Sequence, residues 1–219
     1  MTILSVIIPF TVQRICRTLV VCLLTSVSMN LAAKQVQIVD QHGQPVQDAV
    51  VSYADTLPAT PLPMAVMDQV DKQFLPHVLV INKGQQVAFP NSDNVRHHVY
   101  SFSAPKPFEI KLFSGTEAAP VAFDKPGIVV LGCNIHDQMI GFIYVADQET
   151  ALLTNTQGRV DVPDTLNEVY VWHERLSSSQ TVREKMALVD GQPLQVNLVA
   201  EKVPEKTSKT FGSRFGKGN

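Results

Sequence analysis

The sequence predicts an all-β protein. Apolar residues come in short runs bounded by Gly, Pro, Asn and Asp, and no long stretch repeats them at helical period. The 219 residues are 45% hydrophobic with a formal net charge of −2. That length allows one large domain or two small ones, and the balance of charge offers nothing to nucleic acid or an acidic lipid surface.

Taken in order, Arg14 and Arg17 precede the apolar run 18–24, and Leu31-Ala32-Ala33 ends in small residues. This is the pattern of a secretory signal peptide over 1–33, cut near Ala33, which predicts a periplasmic protein with no membrane association after cleavage. Cys16 and Cys22 would leave with the signal, so Cys133 would remain as the single thiol. In an oxidising compartment such a thiol must be buried, paired between chains or bound to a metal.

Residues 34–53 read as two strands around the turn Asp40-Gln41-His42-Gly43, the second following Pro45, and the polar, Pro-rich residues 55–63 read as a connection. A second set of strands is expected from near Phe74, at 77–82, 86–90, 98–102, 108–113, 121–123, 128–131 and 139–146, with the tight turn Lys125-Pro126-Gly127 before the sixth. Val78-Leu79-Val80-Ile81 is a continuous apolar run, which suits a strand covered on both faces. Glu109 and Lys111 alternate with Ile110 and Leu112 as the wet face of another. Beyond Asp147, 154–160 gives a polar turn into a strand, and 168–172 gives another whose Tyr170 and Trp172 are expected to pack a sandwich core. Residues 202–219, with Lys206, Lys209, Arg214 and Lys217, read as a disordered, mildly basic tail.

The two flanks together resemble the carboxypeptidase regulatory-type, prealbumin-like sandwich. The resemblance rests on Val36-Gln37-Ile38-Val39-Asp40 to Ala49-Val50-Val51 with its D-x-x-G-x-P-V opening, on Gln157-Gly158-Arg159, and on the closing Tyr170-Val171-Trp172-His173. It implies a discontinuous flanking domain, 34–63 with 148–201, into which 64–147 is inserted.

Chemistry concentrates in GCNIHDQM, where Cys133, His136 and Met139 have the spacing C-x2-H-x2-M. A thiolate is a soft, strong donor, an imidazole is borderline and a thioether is soft and weak, so the set favours copper over hard cations. One strong donor is still missing. His97 and His98, after the polar turn Asn91-Ser92-Asp93-Asn94, are candidates for it, and His77 is a further one. No G-x-S-x-G, phosphate loop or H-E-x-x-H is present.

A histidine followed after about thirty-five residues by C-x2-H-x2-M is similar to the type 1 copper proteins, the cupredoxins of the plastocyanin and amicyanin kind. The Cys-to-Met loop has the amicyanin length. That family carries its first ligand in N-x5-H-N-V, which places Asn91 and His97 in register and puts His98 at the family's Asn. Gly84 before Phe89-Pro90-Asn91, and Phe123-Asp124-Lys125-Pro126-Gly127 before the Cys133 strand, extend the likeness over 74–145. The resemblance implies a Greek-key β-sandwich holding one copper ion, cycling between Cu(I) and Cu(II), on His97, Cys133, His136 and Met139. It further implies that His136, on a loop near the surface, is the electron exit, with a dehydrogenase or c-type cytochrome docking there transiently, as in methylamine utilization. Two departures matter: His98 replaces the Asn that ties the ligand loops together, and Asp137-Gln138 replaces an apolar pair, making the surface near His136 more polar.

A Cys, His, His set with a weak Met suits both copper states, which serves electron transfer, and four protein ligands leave no position for a substrate. The expectation is therefore a periplasmic electron carrier and not an enzyme. Two alternatives stand beside it: a copper-handling module without redox partners, and a modified site in which His77 or His98 joins or replaces Met139 and opens a position for a small ligand.

Overall fold

The computed structural model describes residues 32–55, 62–115 and 118–199. The expected signal peptide with Cys16 and Cys22, the middle of the 55–63 connection and the basic tail lie outside the described residues. Those that are described form strands and turns with no helix. From Ala33 onward they belong to one compact unit.

The strands are β1 (Ala33–Val39), β2 (Val50–Ala54), β3 (Ala65–Val66), β4 (Asp68–Val70), β5 (Gln73–Leu75), β6 (Val78–Asn82), β7 (Gln86–Ala88), β8 (His97–Ser101) and β9 (Phe108–Phe113). They continue with β10 (Val121–Ala122), β11 (Gly127–Cys133), β12 (His136–Ala146), β13 (Glu149–Leu153), β14 (Arg159–Pro163), β15 (Glu168–Trp172), β16 (Arg183–Ala187) and β17 (Leu194–Gln195).

Four sheets carry the cores. Strands before Asp55 pair with strands after Asp147, giving the orders β14-β1-β17 and β13-β2-β15-β16. The central segment makes a five-stranded sheet, β6-β12-β11-β8-β9, and a three-stranded one, β10-β7-β3, while β4 and β5 form a separate hairpin. Burial follows the two-residue period of a strand. On β12, Ile143 and Val145 enter a core shared with Val87, Phe89 and Phe123, whereas Phe142, Tyr144 and Ala146 enter a second core with Val50 and Trp172. On β2 and β15, Val51, Val169 and Val171 face a third core with Ile38, Val162 and Leu194. The sheets thus stack in four layers with three apolar seams, and the two middle sheets are covered on both faces. This explains the continuous apolar run 78–81 on β6.

The seam between the flanking and central sheets also holds a polar knot. The buried Tyr144 hydroxyl lies 3.0 Å from Ser52 Oγ, donates to Glu149 Oε1 at 3.0 Å and accepts from Arg183 at 2.7 Å. Each polar atom taken from water there finds a partner, which removes the cost of burying it. In the flanking sandwich, Gly158 meets a local requirement. Its φ is +69°, and a Cβ there would run into the carbonyl oxygen of Ile38. The Asp40 carboxylate accepts from His42 N and Gln44 N, both at 2.8 Å, closing the turn after β1.

Several expectations are corrected. The central strands begin at Ala65 rather than near Phe74, and β2 begins at Val50 rather than directly after Pro45. β8 starts one residue early, at His97, and ends at Ser101, leaving Phe102 86% exposed. β12 starts at His136 rather than Met139. β13, β16 and β17 have no counterpart in the sequence reading; β16 is largely exposed and is defined by pairing with β15, which no local pattern announces. Tyr170 does not join Trp172 in the core: it shares a face of β15 with Trp172 but is 37% exposed, and its ring lies under the Arg183 guanidinium, 5.0 Å from the centroid.

His77 sits at this seam, with Nε2 3.2 Å from Glu174 Oε2 and its ring edge-on to Phe142. The Glu174 hydrogen bond raises the His77 pKa above 6.5 against the opposing effect of burial. A raised histidine pKa adds stability below the unfolded value and loses it as pH rises through the folded one. His77→Gln is therefore expected to lower the melting temperature relative to the parent at about pH 6 and to match it by about pH 9, the pair being worth about 0.5 kcal/mol at this exposure. A difference that is constant across that range would show that charge on His77 contributes nothing.

Candidate metal centre

The site is assembled from two segments. Asn91 is buried and donates through Nδ2 to Val95 O and Phe113 O, both at 2.9 Å, while its backbone exchanges hydrogen bonds with Gly115. Its side-chain oxygen accepts from Asp93 N at 3.0 Å. These bonds fold 91–96 into a fixed loop and deliver His97 to the inner face of β8, fully buried.

The second segment is the β11–β12 hairpin. Asn134 and Ile135 form its turn, so Cys133 and His136 stand opposite each other. One residue earlier Gly132 pairs with Ile140, so Asp137, Gln138 and Met139 are extra residues that bulge from the ladder. Asp137 and Gln138 are exposed, and Met139 turns inward to join Cys133 in the central core. Gly132 has a packing reason: the Tyr100 ring lies over it, and a Cβ would stand 2.8 Å from that ring.

His97, Cys133 and His136 offer ligand atoms that all lie within 4.8 Å of one another. Cys133 Sγ is 3.8 Å from Nδ1 of His97 and 3.8 Å from Nδ1 of His136, and the two nitrogens are 3.2 Å apart. A triangle with these sides has its centre about 2.1 Å from each corner, close to the bonds a first-row metal makes to imidazole nitrogen and thiolate sulfur. The donor set is two borderline nitrogens and one soft sulfur, beside a buried thioether residue, which selects soft or borderline ions over calcium or magnesium. The residues present therefore fit copper.

The structure does not bring the other two histidines to this group. His98 follows His97 on β8 and so faces the opposite side of the sheet, where Nε2 lies 2.8 Å from Glu109 Oε1 and the ring packs on Tyr100. His77 is engaged with Glu174 at the seam. The loop placement expected for His136 is also revised, since it is the first residue of β12 and is half-buried.

Sequence reasoning missed Asp93. Its Oδ2 lies 2.9 Å from His97 Nε2 and accepts from Lys72 N at 2.8 Å, and its side chain is 12% exposed. The hydrogen bond with His97, followed by that from Lys72, holds its carboxyl below the usual aspartate value. The available signal was an acidic residue four positions before the ligand histidine, inside a polar turn.

No family model and no curated protein matches the sequence. Among solved structures the chain is similar to a copper-containing nitrite reductase from Thermus scotoductus SA-01, at 26% identity and a TM-score of 0.38, over 50% of this chain and 28% of that one. It is also similar to a purple cupredoxin from Nitrosopumilus maritimus, at 20% identity and a TM-score of 0.34, over 37% of this chain and 99% of that one. Amicyanin from Paracoccus versutus aligns at 19% identity and a TM-score of 0.35, over 40% and 86% respectively.

Proposed function

We propose that this protein is a periplasmic copper protein that carries single electrons between redox partners and does not transform a substrate. The observation that supports it is the triangle of His97 Nδ1, Cys133 Sγ and His136 Nδ1, whose centre suits one metal ion and whose donors suit copper. Cys133, His97 and His136 would hold the ion, with Met139 as a weak fourth ligand. A copper ion so held supplies a one-electron couple that needs little rearrangement.

The chain's own residues keep that arrangement rigid. Asn91 fixes the His97 loop, and the hairpin with its bulge fixes the other segment. Cys133 and Met139 are shielded by the core, whereas His136 is half-buried at the rim. Ile135, Ile140 and Val95 are 48%, 40% and 37% exposed beside the ligand-bearing segments, which favours a brief apolar contact with a partner near His136. The partner in this reading is a dehydrogenase or c-type cytochrome, in amine oxidation. Export rests on the signal-peptide pattern of 1–33, and the reading of 64–147 as a copper domain inserted in a flanking sandwich is supported by the pairing of β1 and β2 with β13, β14, β15 and β17.

The test is to load the full chain with Cu(II) and record visible absorption, EPR and voltammetry. The expected result is an intense thiolate-to-copper band, narrow copper hyperfine splitting and a reversible one-electron wave. Tight Cu(I) capture without reversible cycling would replace the carrier by a copper-handling module. Spectral shifts on adding azide or nitrite would reveal an open coordination position and overturn the non-enzymatic reading.

A further inference from the structure

Asp93 stands out because it touches a candidate ligand without being one. His97 presents Nδ1 to Cys133 and His136, so its Nε2 is turned away from the ligand triangle and meets the Asp93 carboxylate at 2.9 Å. An ionised carboxylate only accepts hydrogen bonds, so this contact requires the proton on Nε2 and leaves the Nδ1 lone pair free.

The carboxylate is itself held in place. The β4–β5 turn has Asp71 and Lys72 at positive φ, 52° and 60°, which aims the Lys72 amide at Asp93 Oδ2, 2.8 Å away. Asp68 ties the same hairpin to the loop by accepting from Ser92 Oγ at 2.7 Å and Ser92 N at 3.2 Å. Thus a separate hairpin braces the group that orients His97.

We propose that Asp93 is a positioning residue that fixes the His97 tautomer and, through it, biases the centre toward Cu(II) over Cu(I); this rests on the copper reading above. Two physical reasons support the direction. A carboxylate on the far nitrogen raises the basicity of an imidazole ligand, and a more basic ligand favours the more highly charged ion. In addition, the Cys133 thiolate and Asp93 carry two negative charges, which balance Cu(II) but leave an excess charge beside Cu(I) in a largely buried site.

The experiment compares the full-length parent with Asp93→Asn, which keeps the shape and removes the charge. Cu(II) affinity is expected to fall about 10- to 100-fold in the variant, with a smaller loss for Cu(I). Each tenfold difference between the two losses raises the reduction potential by about 59 mV. Equal potentials in two folded, copper-loaded proteins would overturn the proposal, because a role confined to packing would not move the potential. The tautomer is read independently by nitrogen NMR of the metal-free parent at mildly alkaline pH. A proton on Nε2 of His97 supports the positioning role, and a proton on Nδ1 overturns it, even if the variant does not fold. If the parent shows no thiolate-to-copper band, the copper reading fails and with it the oxidation-state bias, whereas the NMR result still reports separately on the orienting contact.

Discussion

Cys133→Ser is expected to abolish the thiolate-to-copper band of the loaded protein and to weaken copper binding by more than about 100-fold, the loss that changes outside the ligand set can already reach. Cys133 is the soft, ionisable donor of the triangle, and its sulfur lies at 3.8 Å from both histidine nitrogens. Serine is similar in size, but its hydroxyl is a hard donor that stays protonated at neutral pH. The substitution also places a hydroxyl in the central core, where Cys133 packs among Leu131, Met139 and Ile143. Without a hydrogen-bond partner that hydroxyl costs about 1–3 kcal/mol, so urea unfolding of both metal-free proteins separates the two effects. Retention of an intense band in the folded variant would show that Cys133 does not bind copper.

Trp172→Ala is expected to cost about 3–5 kcal/mol of stability, the range for truncating a large aromatic in a packed core. Trp172 is fully buried between the flanking and central sheets, with ring centroids 5.5 Å from Phe142 and 6.2 Å from Tyr144. Its indole Nε1 donates to Gln180 O at 2.9 Å, and truncation would remove that donor as well. Chemical denaturation should show a lower midpoint with an unchanged slope. A loss below about 1 kcal/mol would mean the seam collapses onto the cavity or contributes little to stability.

The range of legibility along the chain follows from how local each feature is. The run Val78-Leu79-Val80-Ile81 was readable as a doubly covered strand because burial on both faces writes itself into consecutive residues. Glu109 and Lys111 were readable as a wet face, and both are exposed on β9. β16 was not, since Arg183–Ala187 is polar and owes its conformation to pairing with β15. The turn at Asp40 is legible because its hydrogen bonds close within four residues.

At the candidate centre, local spacing sufficed to give the kinds of donor in Cys133, His136 and Met139, and hence a preference for a soft or borderline metal. Which distant histidine stands beside them depends on the fold. His97 and His98 are chemically identical neighbours, and the alternation of a strand sends one into the core and the other to Glu109. It likewise turned His77 toward Glu174 and brought Asp93 and Lys72 together behind His97. Spacing along a chain fixes contacts that close within a turn, whereas contacts between separate strands depend on sheet pairing and on which face each residue presents.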